Sequence, residues 1–181
     1  MKKYLLSSLF LFLLLAACTD NSYISNPDSS GAKSWLQIQK MTSDQSLEKK
    51  YSFNVEINGE EGGVLAFSKE KKKFSFDGEL TIPAGAFTGT KTIEANVNTD
   101  KAYIDFSPSP FSFNLPAKLD FEIEGIKLAK KDSENIEFGY FDSNNQFVPV
   151  EYDEMIVDVE NGSLIIHGAK IDHFSRYGWT R

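Results

Sequence analysis

Few side chains in this sequence are equipped for chemistry, and the first of them is a sulfur. Cys18 is the only cysteine among 181 residues, so no disulfide can close within the chain and the thiol is available for thioether formation. Two histidines are present, His167 and His173. His167 stands beside Gly168 with no cysteine near it, so a tetrahedral zinc set would need distant carboxylates, and it reads as a strand histidine with a local partner. Asp142, Asn144 and Gln146 alternate as in a calcium loop, but the glycine and the distal Glu of that motif are missing, and a hairpin turn is expected instead. Glu122 with Glu124, and Asp158 with Glu160, fall two apart and share a face if they lie on strands. A glycosidase pair must flank a cleft, so these carboxylates read as acidic outer faces. The run Lys69-Glu70-Lys71-Lys72-Lys73 joins two strand-like segments and reads as a solvated hairpin tip. Tyr140, Tyr152, Tyr177 and Trp179 could stack on sugar rings, which keeps a glycan partner in view. No cofactor and no metal ion is expected, and the absence of a Gly-x-Ser-x-Gly elbow argues against a serine hydrolase.

The elements before Cys18 give its thiol a meaning. Lys2 and Lys3 precede an apolar run from Leu5 to Ala17, broken only by Ser7 and Ser8 and ending in the small pair Ala16-Ala17. This is the layout of an export signal, shorter than the roughly 20 residues of a spanning helix. Leu15-Ala16-Ala17-Cys18 resembles the bacterial lipobox, in which Leu and two small residues precede a cysteine. The resemblance implies cleavage before Cys18 and attachment of diacylglycerol to its sulfur. At ~0.8 kcal/mol per buried methylene, a few acyl chains such as palmitate then hold the protein on a membrane without a spanning segment. Thr19, rather than Asp, follows the cysteine, which favours the outer membrane or cell surface over retention at the inner membrane.

Residues 1–17 are thus expected to be the signal peptide, and residues 18–50 the lipidated cysteine and tether. Thr19 to Lys33 is rich in Ser, Asn and Asp, with Pro27 and Gly31, and offers little to bury, so it reads as a flexible spacer. Between Ser34 and Lys50, Trp35, Leu36, Ile38 and Met41 fit a short strand or one or two helical turns equally well.

From residue 51 to 181 the pattern is that of an all-β domain. Tyr51, Phe53, Val55 and Ile57 alternate with polar residues and run into an Asn58-Gly59 turn, which is the period of a half-buried strand. The same alternation recurs in Val64–Ser68, Phe74–Ile82, Thr92–Asn98, Ala102–Phe106, Lys118–Glu124, Ile136–Phe141, Phe147–Tyr152, Met155–Val159, Leu164–His167 and Ile171–Tyr177. Fifteen Phe and seven Tyr against two Trp also favour strands. About ten short strands without a long amphipathic helix predict an antiparallel β-sandwich. Net charge is −7, and removing Lys2 and Lys3 from the 19 basic residues leaves 17 against 26 acids. That balance excludes nucleic acid as a partner.

Leu80-Thr81-Ile82-Pro83-Ala84-Gly85-Ala86-Phe87 resembles the ZU-five domain, a β-sandwich module first named from zonula occludens and netrin-receptor proteins. Gly62-Gly63-Val64-Leu65 upstream, Phe106-Ser107-Pro108 through Pro116-Ala117-Lys118-Leu119 downstream, and His173-Phe174-Ser175 near the end are similar to further landmarks of that family. The resemblance runs from about Glu56 to Tyr177 and implies a sandwich in which Pro83 ends a strand and Phe87 returns to the core. Some proteins with this domain cut themselves between Phe and Ser of the His-Phe-Ser tripeptide. The resemblance therefore implies one covalent step: Ser175 hydroxyl would attack the Phe174 carbonyl, His173 would take its proton, and water would open the ester. The same tripeptide also fits a simple strand end, with Phe174 in the core.

Taken together, the expected protein is an extracytoplasmic, lipid-anchored, non-catalytic β-sandwich, acting as a structural or interaction module of the cell envelope. A self-cleaving module at Phe174-Ser175 and a glycan-binding domain are the two alternatives.

Overall fold

Tyr51, Phe53, Val55 and Ile57 face one way on β1 (Lys50–Asn58) while Ser52, Asn54 and Glu56 face the other, so the strand has one side to bury. The structure, a computed structural model, describes residues 33–41, 50–131 and 133–181. The expected signal peptide, Cys18 and most of the expected tether lie outside the described residues. Ten more strands follow β1: β2 (Gly63–Lys71), β3 (Phe74–Ile82), β4 (Thr90–Asn98), β5 (Tyr103–Ser107), β6 (Phe111–Glu124), β7 (Glu137–Phe141), β8 (Phe147–Pro149), β9 (Glu154–Asp158), β10 (Ser163–Phe174) and β11 (Arg176–Thr180).

These form two antiparallel sheets packed face to face. The first has the order β1-β4-β5-β11-β7-β8 and the second β2-β3-β6-β10-β9. Phe74, Phe76, Leu80 and Ile82 of β3 meet Phe67 of β2 and Phe121 of β6 inside, and Trp179 of β11 closes the core between Phe121 and Phe138. The expected sandwich is therefore the observed fold.

Several boundaries differ from the alternation pattern: β2 runs on to Lys71 rather than Ser68 and β8 stops at Pro149 rather than Tyr152, and three further differences have a clear local reason. Leu164–His167 and Ile171–Tyr177 are not two separate strands: β10 runs unbroken from Ser163 to Phe174, with irregularities in its pairing after Ile166 and after Ile171. Gly168 sits at φ +63°, a conformation a bulge needs and other residues resist. The chain then bends at Ser175 and enters the other sheet as β11, where Tyr177 pairs with Ile104 and Tyr140. Strand β6 begins earlier than Lys118, at Phe111; Pro116, which has no N–H to donate, lies where β6 loses register with β10 between Ala117 and Ser112.

Residues 33–41 join the body rather than the tether. Trp35 bridges Thr180, Gln37 bridges Lys101 and Lys40 bridges Ile126. Leu36 is buried, its N–H donating to the Trp179 carbonyl and its carbonyl accepting from Ala102, both at 2.9 Å. This strap crosses one end of the sandwich, and the compact unit begins at Lys33.

Candidate functional site

The sheet-switching corner holds the His-Phe-Ser tripeptide. Phe174 ends β10 with its ring in the core, stacked on Phe106 at 5.9 Å and edge-on to Phe113 at 4.8 Å. Its carbonyl accepts a hydrogen bond from the Ser109 hydroxyl at 3.1 Å, and the Ser175 carbonyl accepts from the Phe106 N–H at 3.0 Å. His173 lies on the opposite side of the strand. Its Nδ1 is 3.2 Å from the Tyr177 hydroxyl, which donates to the His173 carbonyl at 2.8 Å, and its ring meets Tyr140 edge-on at 4.6 Å. Burial, and next the neighbouring Tyr140, push the Tyr177 phenol well above its ordinary range, so it stays a neutral donor. The imidazole is therefore engaged with two tyrosines, while the Phe174 carbonyl is polarised by Ser109.

The remaining chemical candidates fall apart in space. His167 is half exposed on β10, with Nδ1 3.2 Å from Asp120 Oδ1, an oxygen that also accepts from the Gly168 N–H at 3.0 Å. Asp142 Oδ1 accepts from the N–H groups of Asn144 and Gln146 at 2.9 and 2.8 Å, closing the β7–β8 hairpin. Asp158 caps the β9–β10 turn through Glu160 and Asn161. The Asn161 backbone bond chiefly, then its side chain, lowers the Asp158 pKa. Among the described residues, no group of three His, Cys, Asp or Glu side chains is arranged to hold a metal ion.

Glu122 and Glu124 share the outer face of the second sheet, with Asp77 directly opposite Glu122 and Ser75 opposite Glu124. Ser75 donates to Glu124 at 2.8 Å, whereas Glu122 finds a like charge. Partial burial, then Glu124 and Asp77, raise the Glu122 pKa. The β2–β3 hairpin tip is shorter than expected: Lys72 and Lys73 make the turn, whereas Lys69, Glu70 and Lys71 are strand residues of β2 paired with Phe76, Ser75 and Phe74. The chain shows no match to known protein families, to curated proteins or to solved structures. Likeness to the ZU-five domain thus stands on the sequence landmarks quoted above.

Of the four aromatics singled out for sugar stacking, Tyr177 and Trp179 are core residues, 1% and 0% exposed. The alternation of β11 points both inward, so they offer no surface. A different aromatic group occupies the outside of the first sheet. Trp35 packs on Tyr103 at 5.4 Å and on Phe141 at 4.8 Å, Phe141 meets Phe147 at 5.6 Å, and Arg176 lies over the Tyr103 ring at 4.4 Å. Gly139 and Gly178 make room for it, since a Cβ at either would meet Phe147 or Tyr103 within 3 Å. The glycines in two aromatic strands were the available signal, but Trp35 comes from a segment whose structure the sequence does not settle.

Proposed function

We propose that this chain is a lipid-anchored protein of the cell envelope whose β-sandwich is non-catalytic and serves as a structural or interaction module. One observation carries the proposal: Leu15-Ala16-Ala17-Cys18 closes an apolar run that opens with Lys2 and Lys3. A peptidase needs small residues before the cut, and a thiol is the side chain that forms the thioether. The body supports this use of an anchor, because its large aromatic core gives a rigid unit to hold at a surface, and no helix among the described residues is long and apolar enough to cross a membrane. An outer-membrane or surface location follows from Thr19 as part of the same proposal. Growth with a clickable fatty acid should label the wild-type chain and not Cys18→Ser; equal labelling of both sinks the proposal.

A second reading, self-cleavage between Phe174 and Ser175, draws on the Ser109 hydroxyl, which donates to the carbonyl that an attacking Ser175 would need polarised. The orientation of His173 toward Tyr177 works against it. Intact-mass measurement of purified chain over several days decides: appearance of two fragments summing to the chain plus water supports cleavage, and one constant mass rejects it.

A further inference from the structure

Charge on the body is sorted by position. The strap 33–41 marks one end of the sandwich: it bridges Lys101 in the β4–β5 turn and Ile126 just beyond β6, and Met41 N–H donates to the Gly125 carbonyl at 2.9 Å. Antiparallel register places the start of β1, the β2–β3 hairpin, the β9–β10 turn and the last residue of β11 at the same end. Lys50 faces Asn98, Lys71 faces Phe74, Asp158 faces Ser163 and Thr180 faces Glu137.

Cations collect there. The hairpin contributes Lys69, Lys71, Lys72 and Lys73, and the connection from β6 to β7 contributes Lys127, Lys130 and Lys131. Lys33, Lys40 and Lys50 belong to the strap and the start of β1, where they pair with Glu137, Asp100 and Asp105. Lys101 and Arg181 complete the set. Away from this end, the described Lys and Arg residues are Lys91, Lys118, Lys170 and Arg176 alone. Among the described residues, the carboxylates sharing the basic end are Glu70, Asp100, Glu124, Glu134, Glu137, Asp158 and Glu160, with Asp105 reached by Lys50, and they are still fewer than the cations. The outer face of the second sheet is the reverse, with Glu79 opposite Asp120 and Asp77 opposite Glu122. The described body is thus dipolar, with a basic end and an acidic sheet face.

The basic end is also where the preceding residues join the body, at Lys33, fifteen residues after Cys18. We propose that this end docks on an anionic bilayer surface and orients the sandwich with its acidic sheet face turned away. The setting rests on the lipid-anchor reading; the docking itself is a property of the body. Attraction between lysines and anionic headgroups reaches about one Debye length, ~10 Å at 0.1 M salt. A short link to the bilayer holds the body at high local concentration, so a weak contact is enough to bias its orientation. The opposite pose would bring carboxylates against phosphates.

The test uses the chain from residue 18 with Cys18→Ser. The described strands and buried core residues lie within 33–181, a compact unit, so this chain is expected to keep the fold without lipid. Co-sedimentation is measured with vesicles of phosphatidylcholine, alone or mixed with phosphatidylglycerol, at low and high salt. The anionic vesicles should bind at least about tenfold better at low salt, and the preference should vanish at high salt. Lys71→Gln with Lys73→Gln, and independently Lys130→Gln with Lys131→Gln, should each weaken binding on the order of tenfold, while Lys118→Gln with Lys170→Gln leaves it unchanged. Two separate basic pairs guard against one variant failing to fold. Equal binding to both vesicle types overturns docking, as does an equal loss in the Lys118 and Lys170 variant. Tighter binding to soluble polyphosphate than to anionic vesicles also overturns it, assigning the end to a dissolved polyanion. Fatty-acid labelling of the native chain reports on the anchor separately, so labelling without vesicle binding rejects docking alone.

Discussion

Replacing Leu36 by Ala asks whether the strap is part of the folded body or merely laid against it. The Leu36 side chain is 3% exposed, and the backbone bonds on either side of it, to Trp179 and Ala102, survive the substitution. The change therefore isolates the side chain. Three carbons leave the core at ~0.8 kcal/mol each, which gives about 2.4 kcal/mol of lost transfer free energy before any cavity term. Leu→Ala in cores costs about 2–5 kcal/mol, and a strap at the end of a sandwich has room to settle, so the expected loss is about 2–3 kcal/mol. A domain stable by about 5–15 kcal/mol stays folded after that loss. Urea unfolding followed by tryptophan fluorescence is a direct assay, because Trp35 is the neighbouring residue and Trp179 lies in the core. The midpoint should fall with the slope unchanged, and exposed Gln37→Ala should stay within about 0.5 kcal/mol of wild type. A Leu36→Ala chain equally close to wild type would refute the reasoning and return residues 33–41 to the tether.

Gly125 has φ +73°, and a Cβ there would stand 1.7 Å from the Lys73 carbonyl oxygen, whereas Gly89 at φ +77° faces open space. Gly125→Ala should therefore lower thermal stability by more than about 2 kcal/mol, and Gly89→Ala by about 1–2 kcal/mol from backbone strain alone; equal losses would contradict the clash. Glu122, raised above 4.5 by burial and by Glu124 and Asp77, holds its proton more tightly folded than unfolded, so its contribution to stability falls as pH rises from about 4.5 through the raised pKa. Glu122→Gln should then stabilise the chain near pH 7 by about 0.2–1 kcal/mol, a solvent-screened cross-strand repulsion, with the gain gone below about pH 4 in parallel urea titrations. Tyr177→Phe removes the hydroxyl bonded to the His173 carbonyl at 2.8 Å and should cost about 1–2 kcal/mol by denaturant midpoint.

Strand β3 is legible in the sequence because Phe74, Phe76, Leu80 and Ile82 keep one phase for nine residues, and one phase is all that a flat pairing against two neighbours requires. The corner at Ser175 is harder. Ile171, Phe174, Tyr177 and Trp179 are all buried, but the step of three between Ile171 and Phe174, and again between Phe174 and Tyr177, breaks period two. Those slips mark a bulge and a change of sheet, and a search for alternation alone merges them into one strand. The strap alternates only briefly, with Leu36 and Ile38 turned in and Gln37 and Gln39 exposed. Trp35, Gln37 and Lys40 each bridge a different part of the fold, so the short run does not declare where it lies. Charge is the clearest case of lost position: a sum of −7 points away from anionic surfaces, while the strand order gathers lysines from hairpin, turn and connection at one end. Cys18 is the converse, a candidate fully readable in sequence and carried by no part of the described fold.

The proposed placement at a membrane depends on a thioether between the Cys18 sulfur and a lipid. It is tested most directly by isolating the native chain from the membrane fraction and measuring the mass of its N-terminal peptide. The expected peptide starts at Cys18 and carries a diacylglyceryl thioether. A peptide starting elsewhere, or starting at Cys18 with an unmodified thiol, would contradict it.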